Sequence, residues 1–155
     1  MVKELVSVII PTYNRKHTIR RSIDSVLAQT YRAFEIIIID DCSTDGTMEY
    51  VHELYGDITD VNIIYVKNDN NIGPGASRNI GVSYASGEYI AFHDSDDEWL
   101  PHKLEKQMEA MLCAFDFVLG EALQYGNQQV FFQSVLELSQ DEDYLQYAKE
   151  KCGLI

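Results

Sequence analysis

The chain has 155 residues, 46% of them hydrophobic and 24% charged, with only three prolines. That composition suits one domain with a single core, and it excludes a disordered tail, a collagen-like fibre and a disulfide-stapled mini-protein. A net charge of −13 argues against a general nucleic-acid binder, because phosphate backbones need a basic face.

The charge is uneven. Residues 1–34 carry six Lys/Arg against two acids, whereas the rest of the chain carries six basic and 23 acidic groups. A solvated helix face is the plain reading of that asymmetry. Cys42, Cys113 and Cys152 are widely spaced with no CxxC pair, which indicates reduced thiols rather than a disulfide framework or a zinc site. No run approaches the roughly 18 to 20 consecutive apolar residues of a membrane span. The start has no signal-peptide apolar core of its own. The expectation is a cytoplasmic protein with no transmembrane segment, held to the inner face of a membrane at most peripherally.

Leu5 to Ile10 is a short β-branched run closed by Pro11, as a buried parallel strand would be. After the turn at Thr12-Tyr13-Asn14, the spacing of Ile19, Ile23, Val26 and Leu27 predicts a helix with Arg20 and Arg21 turned outward. Phe34 to Ile39 predicts a second strand ending in Asp40-Asp41. Ser43 or Thr44 can cap a second helix, whose apolar face is Met48, Val51, Leu54 and Tyr55. Val61 to Val66 predicts a third strand, and Ala76, Ile80 and Tyr84 mark one face of a third helix.

Glu88 to Phe92 predicts a fourth strand that ends in His93-Asp94-Ser95-Asp96-Asp97. Pro101 suits the first turn of a fourth helix with Leu104, Met108, Met111 and Leu112 on its buried side. Beyond residue 113 two short strands (115–119 and 129–132) and a helix within 134–152 are expected. Strands alternating with amphipathic helices predict an α/β domain with a mostly parallel sheet and right-handed crossovers.

In such sheets ligands bind outside the carboxyl ends of the strands. Here those ends carry Thr12-Tyr13-Asn14, Asp40-Asp41 and Asp94 to Asp97, so several carboxylates converge on one edge. Two like charges ~4 Å apart cost about 1 kcal/mol in water and about 4 kcal/mol near a protein surface. A cation, a donor group or a raised pKa must therefore relieve the crowding. Asp94 and Asp96 are two apart, on one side of an extended segment, and Mg²⁺ or Mn²⁺ would need few protein carboxylates if a ligand's phosphates completed its shell. A solvated acidic turn at the start of the fourth helix fits the spacing equally well. The histidines at 17, 52, 93 and 102 show no metal-ligand spacing, and neither GxxxxGK[ST] nor GxGxxG is present.

Four blocks of text change those odds. They are VSVIIPTYNR at 6–15, SVLAQTY at 25–31, FEIIIIDDCSTDGT at 34–47, and NDNNIGPGASRNIGVSYASGEYIAFHDSDDEWLPHKLEKQ at 68–107. Together they resemble the GT-A glycosyltransferases of family 2, which use nucleotide-diphospho sugars. The resemblance implies a GT-A fold: residues 1–112 form the donor-binding half and 113–155 a shortened acceptor-side segment ending in a helix. It implies that Asp41 bonds the pyrimidine of a UDP-type nucleotide and that Tyr13 stacks near it. Asp94 and Asp96 match the family's DxD, with Asp96 on Mn²⁺ or Mg²⁺ and Asp94 or Ser95 near the ribose and phosphates. Asn71, Gly73 and Arg78 match the wall of the donor pocket, and Pro11 and Trp99 match positions that shape the turn and support the acidic loop.

The reaction implied is inverting sugar transfer to a hydroxyl of a carbohydrate or lipid-linked acceptor. Glu142-Asp143-Tyr144-Leu145 resembles the family's acceptor-side acidic element, which makes Asp143 the candidate base, although a helical-surface acid fits it as well and the motif's Arg is missing. A short acceptor segment suits a homo-oligomer. Two other readings stay open. One is a nucleotide-sugar-binding module without turnover. The other is a phosphoacceptor receiver, which would need its acidic pair on the first strand rather than the second.

Overall fold

The structure, a computed structural model, describes residues 4–110. The elements alternate as β1 (Val6–Thr12), α1 (Ile19–Leu27), β2 (Phe34–Asp40), α2 (Thr47–Tyr55), β3 (Ile63–Lys67), α3 (Pro74–Tyr84) and β4 (Tyr89–Phe92). Among the described residues the sheet is four-stranded in the order β3-β2-β1-β4, and every pairing is parallel. This is the expected α/β class. The order reverses between β1 and β4, so the crevice at their carboxyl ends is where such a sheet receives a ligand.

The central strands β1 and β2 are buried along their whole length, which is why both read as near-continuous apolar runs. Ile9, Ile37 and Ile39 form the core under α3, joined by Ile64, Val66, Ile80 and Ala85. The edge strand β3 is only half-buried.

Four expectations need correction. Strand β1 does not stop at Pro11; it runs through it to Thr12. Ile9 accepts from the His93 N–H and Thr12 accepts from the Asp41 N–H, so odd residues of β1 face β4 and even ones face β2. Pro11 falls on the β4 side, beyond the last paired residue Phe92, where a missing N–H costs no ladder bond.

Helix α2 starts at Thr47 with Gly46 before it, not after a Ser43 or Thr44 cap. Those two residues instead bond Asn14, and Asp45 accepts from the Thr47 backbone N–H at 3.0 Å and from its hydroxyl.

The fully buried residues of α3 are Ser77 and Gly81; of the predicted face, Ile80 packs against the core, Ala76 is half-buried and Tyr84 is exposed. A Cβ on Gly81 would stand 2.3 Å from Ile9 Cγ2, so α3 approaches the sheet through its side-chain-free spot. Apolar spacing finds Ile80 but misses this close-packed spot.

Strands β3 and β4 begin two and one residues later than their apolar runs suggest.

Contacts group the chain into a unit ending at Lys103 and a second from Leu104. The described part of the second, 104–110, is helical, with Leu104 and Met108 buried. Met111, Leu112, the expected elements beyond 113 and the candidate base Asp143 lie outside the described residues.

Candidate functional site

The end of β1 and the end of β2 are locked to each other. Asn14, at φ 51°, donates its N–H to Ser43 Oγ at 2.8 Å, and its side-chain oxygen accepts the Thr44 N–H at 2.8 Å. Arg15 N–H reaches Thr47 Oγ1 at 3.0 Å. Asn tolerates the left-handed region better than most residues, and its short amide closes the turn locally. This turn sets Tyr13, which is 44% exposed, beside the cleft.

The two carboxylates that end β2 have separate partners. Asp40 is fully buried, accepts the Ser43 N–H at 3.2 Å, and lies 4.0 Å from Lys67 Nζ. Asp41 reaches the other way. One oxygen accepts from Asn68 Nδ2 and the Ile72 N–H, both at 2.9 Å; the second accepts the Gly73 N–H at 2.8 Å. Burial pushes the Asp41 carboxyl up, but the bonds from Ile72, Asn68 and Gly73 outweigh it and hold the group below the usual range. Gly73, at φ 87°, is where only glycine sits without strain, and Pro74 follows at the first helical position of α3. Asp41 thus folds the 68–73 loop and starts α3.

The acidic segment after β4 is not extended. Asp97 N–H closes a turn on the Asp94 carbonyl at 3.1 Å. Both Asp94 and Asp96 side chains stay half-exposed and meet a guanidinium: Arg78 is 2.6 Å from Asp94, and Arg15 is 3.5 Å from Asp96. The His93 and Trp99 ring centroids lie 4.4 Å apart, and Lys103 Nζ sits 3.3 Å from the Trp99 ring centroid, a cation–π arrangement. His93 Nε2 faces the Ser22 carbonyl at 3.3 Å, so that nitrogen carries the proton; Nδ1 is buried without a partner. Burial lowers the His93 pKa and favours the neutral ring.

These ends enclose an open cleft of about 600 Å³. Of the residues singled out in the sequence, Pro11, Tyr13, Asp41, Asn71, Arg78, Asp94, Ser95 and Asp96 line it. Gly73 does not; its neighbour Pro74 does. Thr12, expected on that edge from the sequence, and Arg15, which was not, complete the wall. The available signal for Arg15 was its place directly after the β1 turn, on the edge that collects the carboxylates.

The basic bias of residues 1–34 also has a structural outcome. Arg15, Arg21 and Arg32 pair with Asp96, Glu98 and Asp60 from the acidic remainder of the chain, and Arg20 pairs with Asp24 on its own helix.

The carboxylate crowding is relieved by donor groups at four positions: Lys67 and an amide for Asp40, amides for Asp41, Arg78 for Asp94, Arg15 for Asp96. Among the described residues no group of three His, Cys, Asp or Glu could hold a metal alone. Asp94 and Asp96 do fit a hard cation whose remaining ligands come from a bound diphosphate, since both present half-exposed carboxylate oxygens to one cleft.

The sequence pattern of Glycosyl transferase family 2 matches residues 7–152. The chain belongs to that family. It is 43% identical over 118 residues to the putative teichuronic acid biosynthesis glycosyltransferase TuaG of Bacillus subtilis, covering 74% of this chain and 46% of that protein. It is 46% identical over 126 residues to the Escherichia coli UDP-Glc:alpha-D-GlcNAc-diphosphoundecaprenol beta-1,3-glucosyltransferase WfgD, covering 81% and 46%. The chain therefore spans less than half the length of these curated relatives.

Among solved structures, S. aureus TarS 1-349 in complex with UDP-GlcNAc superposes with a TM-score of 0.62 at 35% identity, over 68% of this chain and 30% of that one. The mannosyltransferase PcManGT from Pyrobaculum calidifontis, in complex with GDP-Man and Mn²⁺, gives 0.58 at 31% identity, over 61% and 28%. The GT-A architecture expected from the sequence is the one observed. Among the described residues no helix is long and apolar enough to cross a membrane.

Proposed function

We propose that residues 4–103 form the donor site of an inverting glycosyltransferase, taking a UDP-sugar with the help of Mn²⁺ or Mg²⁺. The observation that carries this reading is the convergence of Tyr13, Asp41, Arg78, Asp94 and Asp96 on one cleft at the switch point of the sheet.

In this reading Asp41 bonds the pyrimidine of a UDP-type nucleotide, and Tyr13 covers the ring. Asp94 and Ser95 stand at the ribose and phosphates, Asn71 at the wall, and Gly73 behind it as an anchor for Asp41. Arg78 and Arg15 each bring a guanidinium fork that suits phosphate oxygens. Asp96, with Asp94, would hold the cation. That ion, when bound, supplies Lewis-acid stabilisation of the charge developing on the leaving diphosphate. A divalent-metal complex of one neighbour and UDP-GlcNAc in another support the chemistry by analogy.

Transfer itself needs a base that takes the proton from an acceptor hydroxyl as its oxygen bonds to the anomeric carbon. The bond to the diphosphate oxygen breaks from the opposite face, and its electron pair leaves with the diphosphate. Asp143 is the proposed base. The acceptor would be a carbohydrate or lipid-linked hydroxyl, in keeping with the diphosphoundecaprenol substrate named for one relative.

One observation favours a second reading, donor binding without transfer. Every carboxylate lining the described cleft is paired with donors, and the proposed base lies outside the described residues.

Calorimetry with UDP and Mn²⁺ tests the donor site, and release of free UDP from a UDP-sugar separates the two readings. Saturable binding with release supports the transferase; binding without release supports the module. No binding with either metal contradicts both.

A further inference from the structure

The segment 93–100 carries Asp94 and Asp96 yet belongs to no helix or strand. Its backbone polar groups must find partners outside regular structure, and buried ones almost always do. Four of them find partners on α1 or just past its end. Arg21 Nη2 donates to the Asp96 carbonyl at 2.8 Å, and Ser22 Oγ donates to the Asp94 carbonyl at 3.2 Å. The Trp99 N–H donates to Ser25 Oγ at 3.0 Å, and Gln29 Nε2 donates to the Leu100 carbonyl at 2.8 Å.

Ser22, Ser25 and Gln29 follow one another at i, i+3 and i+7, on α1 and just past its end, so they share one face. All three are buried, at 0%, 8% and 1% exposure. Burying such groups is costly unless each is bonded, and here each is bonded to the acidic loop. The Ser25 hydroxyl also donates to the Ser22 carbonyl at 2.7 Å, which orients its lone pairs toward the Trp99 N–H. Within the acidic turn itself the backbone bond is Asp97 to Asp94, at 3.1 Å.

We infer that Ser22, Ser25 and Gln29 are positioning residues. The polar face of α1 is the template that fixes the backbone of 94–100, and thereby aims the Asp94 and Asp96 carboxylates at a metal-bound diphosphate. They touch no ligand and act through the loop. This inference rests on the donor-site reading above. It adds that the diphosphate end of the cleft is held by α1, whereas the base end is held separately by Asp41 and the 68–73 loop.

That separation supplies the test. Uridine probes the base end alone; UDP with Mn²⁺ probes both ends. Ser25→Ala leaves the Trp99 N–H without its partner, Gln29→Leu does the same to the Leu100 carbonyl, and Ser25→Thr keeps the hydroxyl. Calorimetry on the full chain is expected to show Mn²⁺·UDP binding weakened about tenfold in Ser25→Ala and Gln29→Leu. Uridine binding should stay within about twofold of the parent, and Ser25→Thr should restore the Mn²⁺·UDP affinity.

If both ligands weaken in parallel, the stripe serves only the fold and the inference is wrong. If Mn²⁺·UDP binds the variants as it binds the parent, it is also wrong. Should Gln29→Leu fail to fold, Ser25→Ala carries the same comparison with a smaller change of volume. Failure of the parent chain to bind Mn²⁺·UDP would instead overturn the donor-site reading itself, and this inference with it.

Discussion

Arg78 reaches from α3 to the acidic loop and places its guanidinium 2.6 Å from the Asp94 carboxylate, joining two walls of the cleft that are 16 residues apart in sequence. Arg15 makes the matching contact to Asp96 from the β1 turn, at 3.5 Å. A cation entering the cleft competes with these two side chains for the same oxygens. A diphosphate entering with it gives the guanidinium groups new anionic partners.

The competition predicts opposite effects of one substitution. Arg78→Ala should bind Mn²⁺ alone a few-fold more tightly, since half-exposed ion pairs are worth ~0.2–1 kcal/mol. The same variant should bind Mn²⁺·UDP about tenfold more weakly, through loss of a charge-assisted contact to phosphate worth ~1.5–3 kcal/mol in general. Mn²⁺ titration by electron paramagnetic resonance, with and without UDP, reads both signs. Equal shifts in the same direction would argue against a shared set of oxygens.

Asp41 answers to a different measurement. In Asp41→Asn one acceptor oxygen becomes an amide donor facing the N–H groups of Ile72 and Gly73 or the Asn68 amide. Two donors then oppose each other in a buried site, at a cost of about 1–3 kcal/mol. Thermal unfolding should fall accordingly, and uridine affinity should fall with it because the 68–73 loop loses its anchor. Asp96→Ala should leave uridine binding intact.

Acid stability should depend on Glu35. This buried carboxylate accepts from Ser7 Oγ at 2.7 Å, Ser86 N–H at 2.8 Å, Ser86 Oγ at 2.9 Å and Asn62 Nδ2 at 3.0 Å, at the end of the sheet away from the cleft. Burial pushes its pKa up, but the Ser7, Ser86 and Asn62 bonds outweigh it and the net shift is downward from 4.5. A depressed carboxylate stabilises the fold above the unfolded-state pKa and loses that contribution as pH falls through the folded-state value. Stability of the parent should thus decline below about pH 4.5, whereas Glu35→Gln, already weaker at pH 7 by ~1–3 kcal/mol, should show a shallower acid slope. Urea unfolding at pH 7 and pH 4 checks both.

Gly81→Ala should be among the most damaging small substitutions. The added methyl meets Ile9 at 2.3 Å in the core, and overpacking of that kind costs about 1–3 kcal/mol. Circular dichroism melting measures it. An unchanged melt would mean that α3 can move off β1 without penalty.

Much of this was legible in the sequence, for definite reasons. The β1 and β2 runs are apolar on both faces because both strands are buried centrally, and the parallel order follows from the intervening helices. Tyr13, Asp41 and Asp94 to Asp96 could be placed on one edge because the carboxyl ends of parallel strands converge, whereas Asn71 and Arg78 followed only from the family resemblance. What the sequence hid depended on distance rather than spacing. Ser77 and Gly81 are the fully buried residues of α3 because the helix comes too close at Gly81 for a larger side chain, which no apolar period encodes. The partners of Asp41 are backbone N–H groups about 30 residues away, and Arg15 finds Asp96 across the sheet edge. The polar face of α1 reads as solvent-facing until the loop it grips is in place.

The central claim is that Asp96 and its neighbours bind a nucleoside diphosphate through a divalent ion. Calorimetric titration of UDP into the chain with Mn²⁺, repeated with a chelator and with Asp96→Ala, tests it most directly. The account predicts saturable binding that weakens about tenfold or more in both repeats. UDP affinity that is unchanged by the chelator and by Asp96→Ala would contradict it.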